Sequence, residues 1–296
     1  MENKKSLIFF CTHIINKAII SEYKKLESSY PEKFDTILVI DNETTKFDYD
    51  YGIYNLNFFG QTVKCLLFDK KLNDYLCLDC KSVKDDKFAT AMWYNSDYRY
   101  YYVKFLLPNY EYYWYLEYDV FCNGKTYKPF LEKYDNKKED LLIPHFRKLK
   151  ENDDWCWIDG LDWIYKGKEL YGFFFPVSRL SSKAIDFLYE RRKEHGQIYK
   201  NNCAKSTKRK WIFCELFVPT EIINGGFTAD KIEEENIRQQ VFDLNIERIF
   251  EKQDYKIYHP VKEIKQMEKD KVVTLYEKIK NFICNKFASF RMKIKE

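Results

Sequence analysis

The feature that most constrains the fold of this 296-residue chain is the run YYWYLEYDV, from Tyr112 to Val120. Runs of aromatic and β-branched residues are typical of a strand buried in the middle of a sheet. Two carboxylates, Glu117 and Asp119, lie near the C-terminal end of the run, and the alternation of a strand turns both to the same side. Ligands of open α/β sheets bind beyond the carboxyl ends of the strands. The run therefore predicts a central strand that ends at a ligand site.

The two carboxylates favour a divalent cation at that site. Carboxylates are almost never buried without partners, so Glu117 and Asp119 need a cation or hydrogen-bond donors. Hard oxygen ligands suit Mg²⁺ or Mn²⁺ carrying a diphosphate. The alternative is an exposed acidic pair in a solvated turn.

The N-terminal region predicts the opening of a parallel α/β sheet. Ser6–Cys11 is a strand, Asn16–Leu26 a helix and Phe34–Ile40 the next strand. Neither a dinucleotide-binding glycine fingerprint nor a P-loop is present. Polar residues at the ends of the two strands are expected where a nucleotide would be held: Thr12, His13 and Asp41. For His13 a plain structural role is the alternative.

Two later segments carry candidate chemistry. Trp155 and Trp157 lie two residues apart, and their indoles suit either stacking on a sugar ring or simple packing. Glu215 interrupts the apolar segment Trp211–Thr220. Desolvation there would raise its pKa, which suits a general base, and a satisfied structural acid is the alternative.

The segment between these two predicts a strand, a helix and a loop. Gly172–Pro176 is a strand, and 178–181 leads into a helix from Lys183 to about Arg192, with Ser181 or Ser182 as its N-cap. The polar stretch from 193 to 210 is expected to be a mobile loop.

The C-terminal residues differ in kind from the rest. In 271–296 apolar residues recur at helical spacing, and seven Lys and Arg against two Glu make this segment +5, whereas the whole chain is +4. The remainder is close to neutral, which argues against a general nucleic-acid surface. The segment predicts an interfacial helix on anionic membrane, with packing on the domain or a homo-oligomer contact as alternatives.

The cysteines and the hydropathy favour a cytoplasmic protein. The nine cysteines are scattered, and only Cys77 and Cys80 have the spacing of zinc ligands. Because no second cysteine pair with such spacing completes a four-ligand set, a zinc site is not predicted. No apolar stretch is long enough to span a bilayer. The expected location is the reducing cytoplasm, with peripheral attachment to the inner face of the membrane through the tail.

Taken in order, these pieces resemble a glycosyltransferase of the GT-A fold over about residues 5–262. Glu117-Tyr118-Asp119 occupies the place of the family's D-x-D motif, and the Glu is a departure from it. The chain is also similar to bacterial transferases of surface polysaccharide and lipooligosaccharide. The resemblance implies a mixed, mainly parallel central sheet flanked by helices, forming a catalytic domain over 1–262, with 263–296 as a basic amphipathic tail.

The resemblance also implies site roles. The metal, Mn²⁺ or Mg²⁺, would be held by Asp119, Glu117 and His259. Lys262 would add a cation to the phosphates of a sugar nucleotide, expected to be a UDP-sugar. Glu215 would take the proton from a saccharide or lipid-linked acceptor, with inversion at the anomeric carbon.

Two other classes remain open. One is a non-catalytic relative that binds carbohydrate or nucleotide. The other is a glycoside hydrolase that uses Glu215 and Glu117 as its carboxylate pair, in which Thr12, Asp41 and His259 would have no purpose.

Overall fold

The structure is a computed structural model that describes residues 5–82, 87–150, 153, 155, 157–158, 161–202, 210–234, 237 and 255–261. Lys262 and the tail 263–296 lie outside the described residues, as does the basic part of the predicted loop, 203–209. None of the helices in the described ranges is both long enough and apolar enough to cross a bilayer.

Within the described residues, eight strands form one mixed sheet. Along the chain they are β1 (Ser6–Thr12), β2 (Phe34–Asp41), β3 (Gly52–Phe58), β4 (Gln61–Phe68), β5 (Tyr112–Glu117), β7 (Leu141–Ile143), β10 (Val177–Ser181) and β11 (Ala229–Lys231). Their order in the sheet is β11-β7-β10-β5-β1-β2-β4-β3. The central strands β5, β1, β2 and β4 are parallel, whereas β10 and β3 run antiparallel to their neighbours. The predicted mixed, mainly parallel sheet is confirmed.

Two short ribbons lie outside this sheet. One pairs β6 (Phe121–Cys122) with β12 (Ile257–Tyr258), and the other pairs β8 (Arg147–Lys148) with β9 (Tyr171–Gly172). Both pairings are antiparallel. The first ribbon joins two segments that are far apart in the sequence.

Helices cover the two faces of the sheet, and both faces are apolar. Along β1, Leu7 and Phe9 belong to one buried cluster, whereas Ile8 and Phe10 belong to the other. This alternation follows from the pleat of a strand covered on both sides. The helices in the described residues are α1 (Lys17–Glu27), α2 (Asn42–Thr45), α3 (Lys70–Tyr75), α4 (Phe88–Tyr94), α5 (Tyr98–Leu106), α6 (Lys128–Asp135), α7 (Asp162–Tyr165), α8 (Ser182–Asn202) and α9 (Cys214–Asn224).

The opening strand, helix and strand are confirmed, whereas the segment from 172 to 192 differs from its prediction. Residues 173–176 are not a strand; β10 begins at Val177 and pairs with β5, where Leu180 lies opposite Tyr113. Pairing with the central strand therefore overrides the local preference of Ser178–Ser181. Ser181 does cap the next helix, since its Oγ accepts from Ala184 N at 3.2 Å. That helix runs on to Asn202, so the first half of the predicted loop is helical.

The aromatic strand ends earlier than predicted. β5 stops at Glu117, and a turn follows in which Val120 N donates to the Glu117 carbonyl at 3.0 Å. Asp119 therefore lies in the turn rather than on the strand, and strand alternation does not explain why the two carboxylates face each other. The turn brings them together instead.

Candidate active site

A cleft of about 730 Å³ opens at the carboxyl ends of the parallel strands. Its volume is within the usual range for a small-molecule site. The ends of β1, β2 and β5 contribute to it, and the start of α9 and the residue after β12 close it. Nine of the site residues predicted from the sequence line this cleft: Thr12, His13, Asp41, Glu117, Asp119, Trp155, Trp157, Glu215 and His259.

The acidic centre of the cleft consists of Glu117, Asp119 and His259. One ligand atom from each residue lies within 4.8 Å of the other two. His259 Nε2 is 3.3 Å from Asp119 Oδ1 and 3.7 Å from Glu117 Oε2. Two carboxylates and an imidazole at this spacing form a donor set that suits a divalent cation.

His259 reaches the carboxylates through backbone pairing. It follows β12, which is paired with β6 just downstream of Asp119, and Val261 N donates to the Asp119 carbonyl at 2.9 Å. The His259–Pro260 peptide bond is cis. The segment that carries the histidine is thus tied on both sides to the turn that carries the carboxylate.

The hydrogen bonding of the centre fits a metal. Asp119 Oδ1 is buried and makes no hydrogen bond within the described part of the chain, although the His259 ring lies close to it. Buried carboxylate oxygens are normally satisfied. Glu117 Oε1 accepts from the Tyr115 hydroxyl at 2.9 Å. The residues present therefore fit Mn²⁺ or Mg²⁺, with an oxygen of Asp119 still open to a ligand bond.

The electrostatics of the centre show its demand for positive charge. Burial alone would lower the pKa of His259, but the Asp119 and Glu117 carboxylates raise it to about 10. Burial alone would raise the pKa of Glu117, but the His259 ring, Arg99 and the Tyr115 hydroxyl together hold it below its ordinary value. A cation bound here would meet the same demand.

Glu215 lies in the first turn of α9 and faces the cleft. The apolar segment that the sequence suggested is thus the start of a helix. The residue is 9% exposed, and Phe175 N donates to its Oε1 at 3.4 Å. Burial, with the charge of Glu117 acting in the same direction, raises the pKa of Glu215 to about 8, while His259 acts in the opposite direction.

The three residues predicted at the nucleotide end line the cleft, but two of them also have local roles. The Thr12 hydroxyl donates to the Ile14 carbonyl at 2.6 Å and accepts from Ile14 N at 3.0 Å. Asp41 caps α2 through its Oδ1, which accepts from Glu43 N at 3.0 Å. His13 is exposed, and its ring meets Tyr118 edge-on at 4.8 Å.

The two tryptophans combine packing with exposure to the cleft. The Trp157 ring stacks on Phe213 at 4.3 Å, directly before α9. Trp155 packs against Gly172, where a Cβ atom would come within 2.7 Å of the indole. Both side chains are half-buried and line the cleft, so the two interpretations of the sequence are compatible.

Arg99 is a cleft residue that the sequence did not single out. It lies on α5, and its Nη1 donates to the Met92 carbonyl at 3.3 Å and to the Tyr115 hydroxyl at 3.4 Å. Burial opposes its charge, but Tyr115, Cys11 and Glu117 more than offset this and raise its pKa. The position of Arg99 within a run of tyrosines, between Tyr98 and Tyr100, is the signal that could have identified it, because a charge among aromatic side chains needs a partner.

No protein-family model and no curated protein sequence matches this chain. Among solved structures, it is similar to mouse xyloside xylosyltransferase 1, with 14% identity over 86% of this chain and 97% of the other and a TM-score of 0.41. For the galactosyltransferase LgtC in complex with donor and acceptor sugar analogues, identity is 14% over 78% and 74%, with a TM-score of 0.37. For core-mannan synthase A from Aspergillus fumigatus, in a Mn/GDP form, it is 13% over 78% and 73%, with a TM-score of 0.39. At these values the similarities carry no argument about substrate or mechanism.

Proposed function

We propose that this protein is a metal-assisted glycosyltransferase. It moves a sugar from a nucleotide-diphosphate donor, a UDP-sugar, to a saccharide or lipid-linked acceptor. The observation that carries the proposal is the convergence of Glu117, Asp119 and His259 in one cleft with the buried Glu215. A metal at the leaving diphosphate and a base at the acceptor hydroxyl are what a metal-assisted, inverting transfer uses, and both have candidates here.

The donor end of the cleft is proposed to bind the negatively charged diphosphate through a metal ion and nearby cations. Asp119, Glu117 and His259 would hold Mn²⁺ or Mg²⁺. The metal supplies charge neutralisation at the departing diphosphate. Arg99 contributes a second, fixed cation, and the proposed role of Lys262 is a third. Thr12, His13 and Asp41 are proposed to meet the nucleoside.

The acceptor end contains the proposed base. Glu215 takes the proton from the acceptor hydroxyl while the hydroxyl oxygen forms a bond to the anomeric carbon. The bond from that carbon to the diphosphate oxygen breaks in the same displacement, so a single transfer inverts the centre. The raised pKa of Glu215 makes its ionised form a strong base. Trp155 and Trp157 are proposed to stack on acceptor sugar rings.

The tail 263–296 is proposed to hold the enzyme on the cytoplasmic face of the membrane, where a lipid-linked acceptor would be presented. Its excess of Lys and Arg favours anionic lipid, at about 1 kcal/mol per well-placed cation. Removal of 271–296 should abolish sedimentation with anionic vesicles and leave nucleotide binding unchanged. Unfolding of the truncated protein would identify the tail as a packing helix.

The test of the proposed function is UDP binding with Mn²⁺ and with excess chelator, followed by a screen of sugar nucleotides for UDP release. We expect metal-dependent binding and release with one donor class. Glu215→Gln keeps the shape of the side chain but cannot accept a proton, so turnover should fall by about 10²-fold or more while UDP affinity is retained. Turnover within a few-fold of wild type would remove Glu215 as the base.

The same experiment separates the competing classes. A non-catalytic relative would bind UDP but release none from any sugar nucleotide. A glycoside hydrolase that uses Glu215 and Glu117 would cleave glycosides without Mn²⁺ and without a nucleotide. Either result would contradict the proposed function.

A further inference from the structure

The ribbon of β6 and β12 carries two of the three proposed metal ligands. Asp119 precedes β6, and His259 directly follows β12. Cys122 lies opposite Ile257, and Asn123 N donates to the Lys256 carbonyl at 2.9 Å. Two strands of two residues each are too short to be stable alone. In the described residues, neither strand pairs with the eight-stranded sheet.

Two side chains of α1 bind the outer edge of this ribbon. Glu22 Oε1 accepts from Cys122 N at 2.8 Å, and Lys25 Nζ donates to the Cys122 carbonyl at 2.6 Å. The two side chains also bind each other at 2.6 Å, one helical turn apart. They thus satisfy both backbone groups of Cys122, as a third strand would.

The pair is buried and fully engaged. Glu22 is 1% exposed, and its Oε1 also accepts from the Tyr127 hydroxyl at 2.6 Å. Burial raises the pKa of Glu22, and Lys25, Tyr127 and the Cys122 amide only partly offset this. Replacing such a pair with apolar residues is often neutral for folding. Here it would remove the hydrogen bonds that Glu22 and Lys25 make to the Cys122 amide and carbonyl at a buried position.

We infer that Glu22 and Lys25 are positioning residues for the metal centre: they hold the ribbon in the register that places His259 beside Asp119 and Glu117. The inference rests on the proposed function, because it requires that these three residues bind a divalent cation. Neither Glu22 nor Lys25 lines the cleft, so their influence passes through the backbone of Cys122 and its partner strand. Supporting residues of this kind typically change metal affinity 10–100-fold.

The test is Mn²⁺ affinity of the full-length protein, measured from the electron paramagnetic resonance signal of free Mn²⁺. Lys25→Met removes the donor to the Cys122 carbonyl and should weaken Mn²⁺ binding by up to about tenfold, and by no more than the loss of His259 itself. Lys25→Arg keeps a donor and should restore affinity to within about threefold of wild type. The matched control is Lys24→Met, because Lys24 lies beside Lys25 on α1 but bonds Glu27 and the Thr62 carbonyl.

Hydrogen exchange provides a second readout that a general loss of stability would not reproduce. In Lys25→Met, exchange should accelerate in 120–123 and 255–261 but not in the strands of the main sheet. Should that variant fail to fold, the same two measurements are made on Glu22→Gln, which keeps an acceptor for the Cys122 amide and loses the charge that holds Lys25. Weaker Mn²⁺ binding and faster exchange in the same segments are expected. Unchanged Mn²⁺ affinity with unchanged exchange in these segments would overturn the inference alone. Absence of Mn²⁺ binding by wild type would overturn the metal centre and this inference together.

Discussion

The buried carboxylates of Asp97 and Asp119 differ greatly in the number of hydrogen bonds they accept from the described residues. Asp97 and Arg192 are both fully buried and form two hydrogen bonds of 2.8 Å, while the Tyr101 hydroxyl donates to the same carboxylate at 2.7 Å. At the cleft, Asp119 Oδ1 has no hydrogen bond in the described region, and the His259 ring is 3.3 Å away. Within the described residues the first group is compensated by several hydrogen bonds, whereas the second is compensated only in part, by the neighbouring His259 ring.

The difference separates a structural role from a functional one. The Asp97–Arg192 pair joins α5 to α8, and Arg192 Nη1 also donates to the Ile212 carbonyl at 3.0 Å, just before the helix that carries Glu215. Such a closed network specifies packing and has no capacity for a ligand. The cleft group is short of donors and positive charge, which a ligand can provide. Substitutions should therefore act on stability in the first group and on binding in the second.

The largest effect is expected from Asp97→Ala. It leaves the Arg192 guanidinium buried without a counter-charge, and breaking a buried pair typically costs about 3–5 kcal/mol. Denaturant unfolding should show a lower midpoint with an unchanged slope. Asp74→Ala is the control, since it removes an exposed pair with Lys70 and should cost less than about 1 kcal/mol. Equal losses from the two variants would contradict the distinction.

The pH dependence of stability should reveal Glu215. Its pKa is about 8 in the folded chain against an ordinary value of 4.5, so between these values the unfolded state binds fewer protons. Stability should therefore fall as pH rises from about 4.5 to about 8 and level off above that, by a few kcal/mol at about 1.4 kcal/mol per pKa unit.

Glu215→Gln cannot titrate and should remove this component, whereas Glu111→Gln, at an exposed position, should not. Unfolding curves in chelator at several pH values measure the difference. Parallel profiles for wild type and Glu215→Gln would show that the Glu215 carboxyl is not held in a desolvated state.

A smaller free-energy effect is expected from Asp119→Asn, and on binding rather than on folding. The substitution removes the charge and weakens the open ligand position, so Mn²⁺ affinity should fall by about 10²-fold, which corresponds to about 2.7 kcal/mol. The loss of stability should be smaller than in Asp97→Ala, because Asp119 is paired with the His259 ring alone rather than with an arginine and a tyrosine. Asp35→Asn, in an exposed pair with Lys5, should leave Mn²⁺ affinity unchanged. Undiminished Mn²⁺ affinity in Asp119→Asn would place the metal elsewhere.

The smallest effect is expected from His259→Ala, which removes one ligand and leaves both carboxylates. Mn²⁺ affinity should fall by about tenfold or more, which corresponds to about 1.4 kcal/mol or more, but by less than in Asp119→Asn because no charged ligand is lost. His195→Ala is the control for loss of an imidazole, because His195 lies outside the cleft and its Nε2 is 3.3 Å from Glu221 Oε1. Calorimetric titration of both variants would decide, and a loss as severe as that of Asp119→Asn would make His259 a dominant ligand.

Local sequence patterns determined much of the scaffold. Ser6–Thr12, the helix capped by Asn16 and the aromatic strand from Tyr112 are predictable because burial on both faces leaves an apolar, β-branched or aromatic signature along a few consecutive residues. The position of Glu117 at the carboxyl end of that strand follows from the same signature. The same run singled out Asp119, and the apolar segment Trp211–Thr220 singled out Glu215, whereas His259 became a candidate only through the resemblance to a known family.

Only the tertiary structure decided how those candidates meet. His259 comes beside Asp119 because β12 pairs with β6, and Glu215 faces the cleft because a helix begins at Cys214. Arg99 became a cleft residue through the packing of α5. The strand at Val177–Ser181 likewise exists because β5 accepts it as an antiparallel neighbour. Pairing between distant segments depends on which strand edges are available in the folded sheet. The hydrophobic periodicity of a single segment carries no information about that.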